Sequence, residues 1–456
     1  FQHDGPDGFY AATEVKQVLA GAPLRPEPDM EHLHGIILGG LDRSTAFRGV
    51  ERLPKRSLAV ASAEPGLTVH AYWEPEELVE SANLGLGEAV EGTRHALERA
   101  VRRTLTGRDV ILLSGGLDSP ALAAFAGDGG DGESTRALTA VYPDHGSVDE
   151  REWTRTAADH VEMPLHEFAP DAGSLDDVEK WVRLLDGPID VLSIPEMAQS
   201  YRAARDLGAR TVLTGEVAEM LFENRTYLLD HYLAHGRLRP LLRYLETLRA
   251  RGWSRRQLAF QIIRVLAPRA LVTAYVDRNP SRAPGLPEWI DLERLREARP
   301  GKPPWQLERR RRWPEMQVSV LKGPGIAFEA SEICAAVCGV DSRRPFADVD
   351  LWEFVLSLPA EVKFPNGRPK SLLRKAMRGI LPDELIDRKD KTLFNEYHLD
   401  RADYPKLRRL LVETPRYMEG VDYDRIEEGL DDEDMNIVEL QWARDIARVH
   451  AFLVQF

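Results

Sequence analysis

The stretch Asp109 to Ser119, DVILLSGGLDS, constrains the fold more than any other: a short apolar run feeds a Ser-Gly-Gly-Leu-Asp-Ser turn and then a helix-compatible segment. Val110 to Leu113 read as a buried strand and Ser119 to Ala126 as the helix it enters, with Pro120 tolerated in the first turn. Gly115 and Gly116 let backbone N–H groups approach an anion closely, the hydroxyls of Ser114 and Ser119 add donors, and the helix N-terminus adds a favourable dipole. Phosphate is the expected ligand. Asp118 would repel a phosphate unless a divalent cation lay between them, so it reads as a magnesium ligand. The plain alternative is an ordinary Gly-rich turn with Asp118 helping to cap the helix, which the full SGGLDS makes the minor one.

At 456 residues with 43% hydrophobic composition, the chain can form ordinary cores in two or three domains. No apolar run approaches the roughly 18 to 20 residues of a membrane helix, and FQHDGPDGFY does not resemble a signal peptide, so a soluble cytoplasmic protein is expected. The formal charge of −14 argues against general nucleic-acid binding, which depends on excess positive charge. Arg309 to Arg312 are a local exception, read as a solvated or salt-bridged face that could also meet an acidic peptide or phosphates. Cys334 and Cys338 stand four apart without a second pair or a His cluster, and are expected as buried, reduced residues.

Along the chain, the first part forms a small separate module, and an amphipathic helix follows with Ala89, Thr93, Leu97, Val101 and Leu105 in one stripe. Strands at Val110–Leu113, Leu138–Tyr142 and Thr211–Leu213 then alternate with helices at Asp149–His160 and Pro195–Leu207, which implies an α/β fold: a parallel sheet with helices on both faces. Beyond about Phe222 the pattern turns mostly helical. Thr211 to Phe222, TVLTGEVAEMLF, repeats the strand–turn–helix design of the first loop. In a parallel sheet both strand ends can face one ATP, with Glu219 as the second magnesium carboxylate and Thr214 and Gly215 offering backbone contacts. Acidic residues placed near a helix start to offset its dipole explain Glu216 and Glu219 equally well.

The SGGLDS loop matches the pyrophosphate loop of the ATP pyrophosphatase superfamily, whose members split ATP to AMP and pyrophosphate, and it lacks the Walker lysine. The order of segments resembles the glutamine-hydrolysing asparagine synthetase family over nearly the whole chain. The second signature of that family is met by TGEVAEML, with Val217 in a glycine position and Glu219 in that of a metal-binding Asp. GVDSRRPFADVDLWEFVLSLP is similar to its Glu-x-Arg-x-Pro-Phe-Leu-Asp segment, with Asp341 for Glu and Arg343, Pro345, Phe346 and Asp348 matching. KSLLRKAMRGILPDELIDRKDKTLF resembles its last signature and implies Lys391 as the catalytic lysine that stabilises departing pyrophosphate, with Lys389 as the alternative register. The resemblance also implies that backbone groups at Leu112 and Val141 frame adenine. Glu216 and Asp341 could orient or deprotonate the attacking amine, or could be structural.

TEVKQVLAG, Thr45, Phe47, Gly49, Val50, Leu53, Pro54 and Tyr72-Trp73 resemble the second half of the family's glutaminase domain. The cysteine nucleophile of that domain has no counterpart before Cys334, so either the given chain starts late or the module keeps a scaffold role; residues 1–80 are expected as a partial, inactive glutaminase-like α+β module and 81–456 as the synthetase-like domain with its helical C-terminal region. Carboxylate activation by ATP and Mg2+ followed by amide formation is the implied chemistry. The helical insertion, PEWIDL and RKDKTLF look most like lasso peptide cyclases, which join the N-terminal amine of a core peptide to an Asp or Glu side chain and depend on a leader-binding protein and a leader peptidase. An asparagine or β-lactam synthetase acting on a small substrate and a catalytically silent scaffold are the alternatives.

Overall fold

The computed structural model describes residues 1–38, 43–62, 66–127, 135–188, 193–223, 227–250, 252–268, 271, 286–297, 317–318, 321, 326–388, 392 and 394–456. Its centre is a five-stranded parallel sheet in the order β7-β6-β5-β8-β9, made by β5 (Asp109–Leu112), β6 (Arg136–Ala140), β7 (Leu165–Phe168), β8 (Thr211–Leu213) and β9 (Asp341–Arg343). The chain winds outward from β5 through β6 to β7, then returns across β5 to lay down β8 and β9. The order therefore reverses between β5 and β8, and in such sheets ligands bind outside the carboxyl ends of the strands at that reversal.

Each strand of the sheet's interior alternates its side chains between two cores, as the pleat requires. Ile111, Ala137 and Leu213 face one core, with α3 (Leu86–Thr104), α4 (Asp118–Ala126), α5 (Arg151–His160) and the helices Val349–Ser357 and Ser371–Ala376. Val110, Leu138 and Val212 face the other, with α6 (Val178–Leu184), α7 (Ile194–Asp206) and the helix Ile326–Cys338. The expected sheet covered on both faces is present. The stripe expected on α3 is its buried side at Ala89, Thr93, Leu97 and Val101, while Leu105 is the C-cap residue. Cys334 and Cys338 are buried free thiols where the helix Ile326–Cys338 packs on α7, with their sulfurs toward the Ile194 and Ala198 carbonyls.

The first eighty residues form two antiparallel hairpins, β1 (Gln2–Gly5) with β2 (Gly8–Ala11) and β3 (Ser57–Ala61) with β4 (Leu67–Ala71), around the helices α1 (Val15–Gly21) and α2 (Met30–Ile37). This region has no core of its own among the described residues. Val15, Val18, Leu33, Ile37 and Val50 bury themselves in the same cluster as Leu407, Leu411, Ile426, Ile446 and Phe452 of the C-terminal helices. Trp289, Ile290 and Leu292 of the PEWIDL segment join that cluster too. No helix among the described residues is long and apolar enough to cross a membrane.

Candidate active site

Two strand ends make the site. Ile111 pairs with Leu213, so the loops that leave β5 and β8 emerge side by side at the reversal of strand order. The β5 loop is folded on itself by its serines: the Ser114 amide donates to Ser119 Oγ at 2.8 Å, the two hydroxyls stand 3.0 Å apart, and the Gly116 amide donates to Ser114 Oγ at 3.4 Å. Glycine is required where the loops crowd. A Cβ at Gly115 would stand 2.7 Å from Arg388 Nη1 and 2.9 Å from the Cβ atoms of Glu150 and Trp153, and one at Gly215 would stand 3.1 Å from the Ser119 amide nitrogen. The two loops thus touch through Gly215 and the first turn of α4.

A second layer clamps the β5 loop. Glu150 accepts the Gly115 amide at 3.0 Å, Arg388 donates to the Gly115 carbonyl at 2.5 Å and to Glu150 at 2.9 Å, and Thr392 donates to Glu150 at 2.6 Å. The Arg388 guanidinium also lies 4.9 Å from the centre of the Trp153 ring. The sequence reading missed this clamp, because Glu150 and Arg388 are far apart in the chain and neither belongs to the loop. Lys391 and Lys389 lie outside the described residues, as do Arg309 to Arg312. The described neighbours of Lys391, Arg388 and Thr392, both hydrogen-bond to Glu150.

Asp118 opens α4 and aims its carboxylate at the β8 side. Its Oδ2 accepts from Lys370 Nζ at 2.6 Å, while Oδ1 is buried with no hydrogen-bond partner among the described residues. Burial pushes this carboxyl above its usual range, and Lys370 opposes the shift. Lys370 is the second residue the sequence reading missed. It sits at a left-handed backbone position (φ 52°), is 9% exposed, and brings its ammonium within 3.9 Å of Glu219 and 3.6 Å of Glu223 as well as against Asp118. A buried, positively charged side chain so placed shows where this site gathers negative charge.

That observation tests the expected metal. Mg2+ is commonly held by one or two protein carboxylates, with substrate phosphates and water completing its shell. Asp118 has a buried oxygen without a partner, and Glu219 is half-exposed and shares the Lys370 ammonium with it. The pair fits a magnesium ion bound with a nucleotide, with Asp118 and Glu219 as the residues that would hold it. No group of three or more His, Cys, Asp or Glu side chains suited to holding a metal without such a ligand occurs among the described residues.

Other expected site residues take clear positions. The Thr214 amide donates to the Arg343 carbonyl at 3.0 Å, so its backbone N–H is committed to the sheet; its hydroxyl, buried and without a partner, is the group it offers instead. The Val141 amide likewise donates to the Phe168 carbonyl at 2.9 Å, so an adenine contact there would fall to the carbonyl. Leu112 is the last residue of β5. Glu216 accepts from Arg344 Nε at 2.5 Å, and Arg344 also pairs with Glu332 and lies over Phe328. Its carboxylate is held near the site by that pairing.

Asp341 begins the three-residue strand β9 and pairs with Thr211, at the opposite end of these short strands from Ser114 and Thr214. Val217 departs in another way: this β-branched residue has φ 76°, where the family signature places glycine.

Fold and site together define a doubly wound parallel α/β domain of the ATP pyrophosphatase type, with a glycine-rich loop and a carboxylate pair at its switch point. The asparagine synthase family profile matches residues 92–454, and the chain belongs to that family. It is 23% identical over 433 residues to asparagine synthetase [glutamine-hydrolyzing] 3 of Bacillus subtilis, a match covering 91% of this chain and 63% of that one. It is 28% identical over 244 residues to the carboxyethyl-arginine beta-lactam-synthase of Streptomyces clavuligerus, covering 51% of this chain and 46% of the relative. The chain therefore spans less than two thirds of the length of either.

Proposed function

We propose that this chain activates a carboxylate with ATP, releasing pyrophosphate, that an amine then attacks the acyl carbon of the resulting acyl-adenylate to form an amide and release AMP, and that its substrate is a peptide whose Asp or Glu side chain closes onto its own N-terminal amine. The observation that carries the reading is the meeting of the SGGLDS loop with Gly215 and Glu219 at the reversal of strand order, with Asp118 Oδ1 buried and unpartnered between them. The loop amides and the start of α4 would hold the phosphates, the Thr214 hydroxyl would add a donor, and the Arg388–Glu150 clamp would keep the loop from collapsing. Magnesium on Asp118 and Glu219 would neutralise charge on departing pyrophosphate, and Lys370 would share that work from the protein side. Lys391 is the proposed second cation. Residues 1–80 keep a scaffold role in this reading, and a leader-binding protein and a leader peptidase would deliver the core peptide.

A second reading, an asparagine or β-lactam synthetase with a small substrate, is favoured by the names of the two relatives. Mass spectrometry of products formed with ATP, Mg2+ and a leaderless core peptide separates them. AMP together with a peptide lighter by one water supports the macrocyclase. AMP formed only when aspartate and ammonia, or a β-amino acid, are supplied would move the protein to the second reading. No AMP with any of them would sink both and leave a silent scaffold.

A further inference from the structure

A cavity of about 1040 Å³ opens beside the clamped loop, lined by Arg368, Arg374, Lys375, Arg378 and Arg388, with Asp387 as the one carboxylate on its wall among the described residues. Thr247 and Ala250, from the helix Leu238–Ala250, also contribute to the wall. Arg388 ties this cavity to the site, since the same guanidinium donates to the Gly115 carbonyl at 2.5 Å. In a chain of net charge −14, five cations against one carboxylate around one opening are a local excess of positive charge.

Three of the five cations are already engaged. Arg374 donates to the carbonyls of Ile386 and Arg388, Arg378 pairs with Asp383 and Asp387, and Arg388 is held by Gly115 and Glu150. The side chains of Arg368 and Lys375 make no hydrogen bond or ion pair with the described residues and are exposed to the opening. The volume lies at the upper end of the roughly 300 to 1000 Å³ that enclose drug-sized ligands, far more than one pyrophosphate or one amino acid fills. Two cations with no hydrogen bond or ion pair to the described residues, in a wide chamber, suit several carboxylates along a chain, which an arginine can take in bidentate fashion.

We propose that this cavity is a docking chamber for an acidic peptide segment, whose carboxylates are held by Arg368 and Lys375 while the reacting carboxylate is presented to the loop behind Arg388. The inference rests on the carboxylate-activating reading above and names the class of its substrate. Neither Arg368 nor Lys375 belongs to the phosphate-binding machinery, so both can be changed without touching it.

The test is binding in the absence of ATP. A fluorescein-labelled hexaglutamate peptide should give saturable anisotropy with the full chain, weakened about tenfold or more in the Arg368→Ala/Lys375→Ala double variant and by added salt, and retained in Arg368→Lys/Lys375→Arg. Thermal melting should be unchanged in both variants. No saturable binding by the wild type, or equal binding by wild type and the alanine variant, would overturn the proposal. Since no turnover is involved, such a failure would leave adenylate formation at the strand ends standing, whereas a chain that makes no AMP could still bind the peptide.

Discussion

Lys370 stands among three carboxylates, Asp118 at 2.6 Å, Glu223 at 3.6 Å and Glu219 at 3.9 Å, and its ammonium lets these acidic groups gather in one place. Without that ammonium the three carboxylates would face one another with no described cation between them. Val217 is the residue with evident backbone strain beside them. An L side chain in the left-handed region costs about 1 to 2 kcal/mol, which glycine avoids. Val217→Gly is therefore expected to be more stable than Val217→Ala by about 1 kcal/mol in urea unfolding, although glycine ordinarily ranks below alanine; the reverse order would show that this backbone is unstrained. His450 offers a pH-dependent test far from the site. It is fully buried, hydrogen-bonded to Thr414 and Tyr423, and burial lowers its pKa to about 4. The unfolded chain takes up a proton near pH 6.5 that the folded one refuses, so the stability is intact above that pH and falls as pH drops toward 4. The loss from this group is roughly 3 kcal/mol. His450→Gln should flatten that part of the stability–pH curve, and an unchanged slope would remove His450 as its source.

At the level of elements, the β5 loop is held from both sides, and its two glycines are not equivalent. Gly115→Ala pushes a methyl group against Arg388, Glu150 and Trp153, whereas the nearest atom to a Cβ at Gly116 is Ser114 Oγ at 3.5 Å, an ordinary contact. Overpacking of the first kind should cost about 1 to 3 kcal/mol, and Gly116→Ala should leave the melting temperature nearly unchanged. Equal effects would mean that the clamp yields. The strand–loop–helix of β5 and α4 was legible in the sequence because an apolar run, two glycines and a helix-forming stretch agree locally. The strands β7 and β9 were not: LHEF and DSR are short and polar, and their pairing with β6 and β8 comes from tertiary placement. The same cause hid Lys370, whose neighbours in sequence give no sign that three distant carboxylates await it. It also left the position of Asp341 in the sheet open, since a motif match carries residue identity and spacing but not the direction in which a strand enters the sheet.

Across the whole molecule, the parallel sheet places one site at its carboxyl edge, and the N-terminal hairpins and helices are joined to the C-terminal helices through a single buried cluster. The first eighty residues are thereby bound into the C-terminal helical body. The central claim is that the ends of β5 and β8 together form a magnesium–nucleotide site centred on Asp118. Isothermal titration of ATP with and without Mg2+, for the wild type and for Asp118→Asn, tests it most directly. The expected result is magnesium-dependent ATP binding by the wild type, and loss of that dependence in Asp118→Asn with the melting profile preserved. ATP binding by Asp118→Asn that responds to magnesium as the wild type does, or a wild type that binds no ATP with magnesium present, would contradict the assignment.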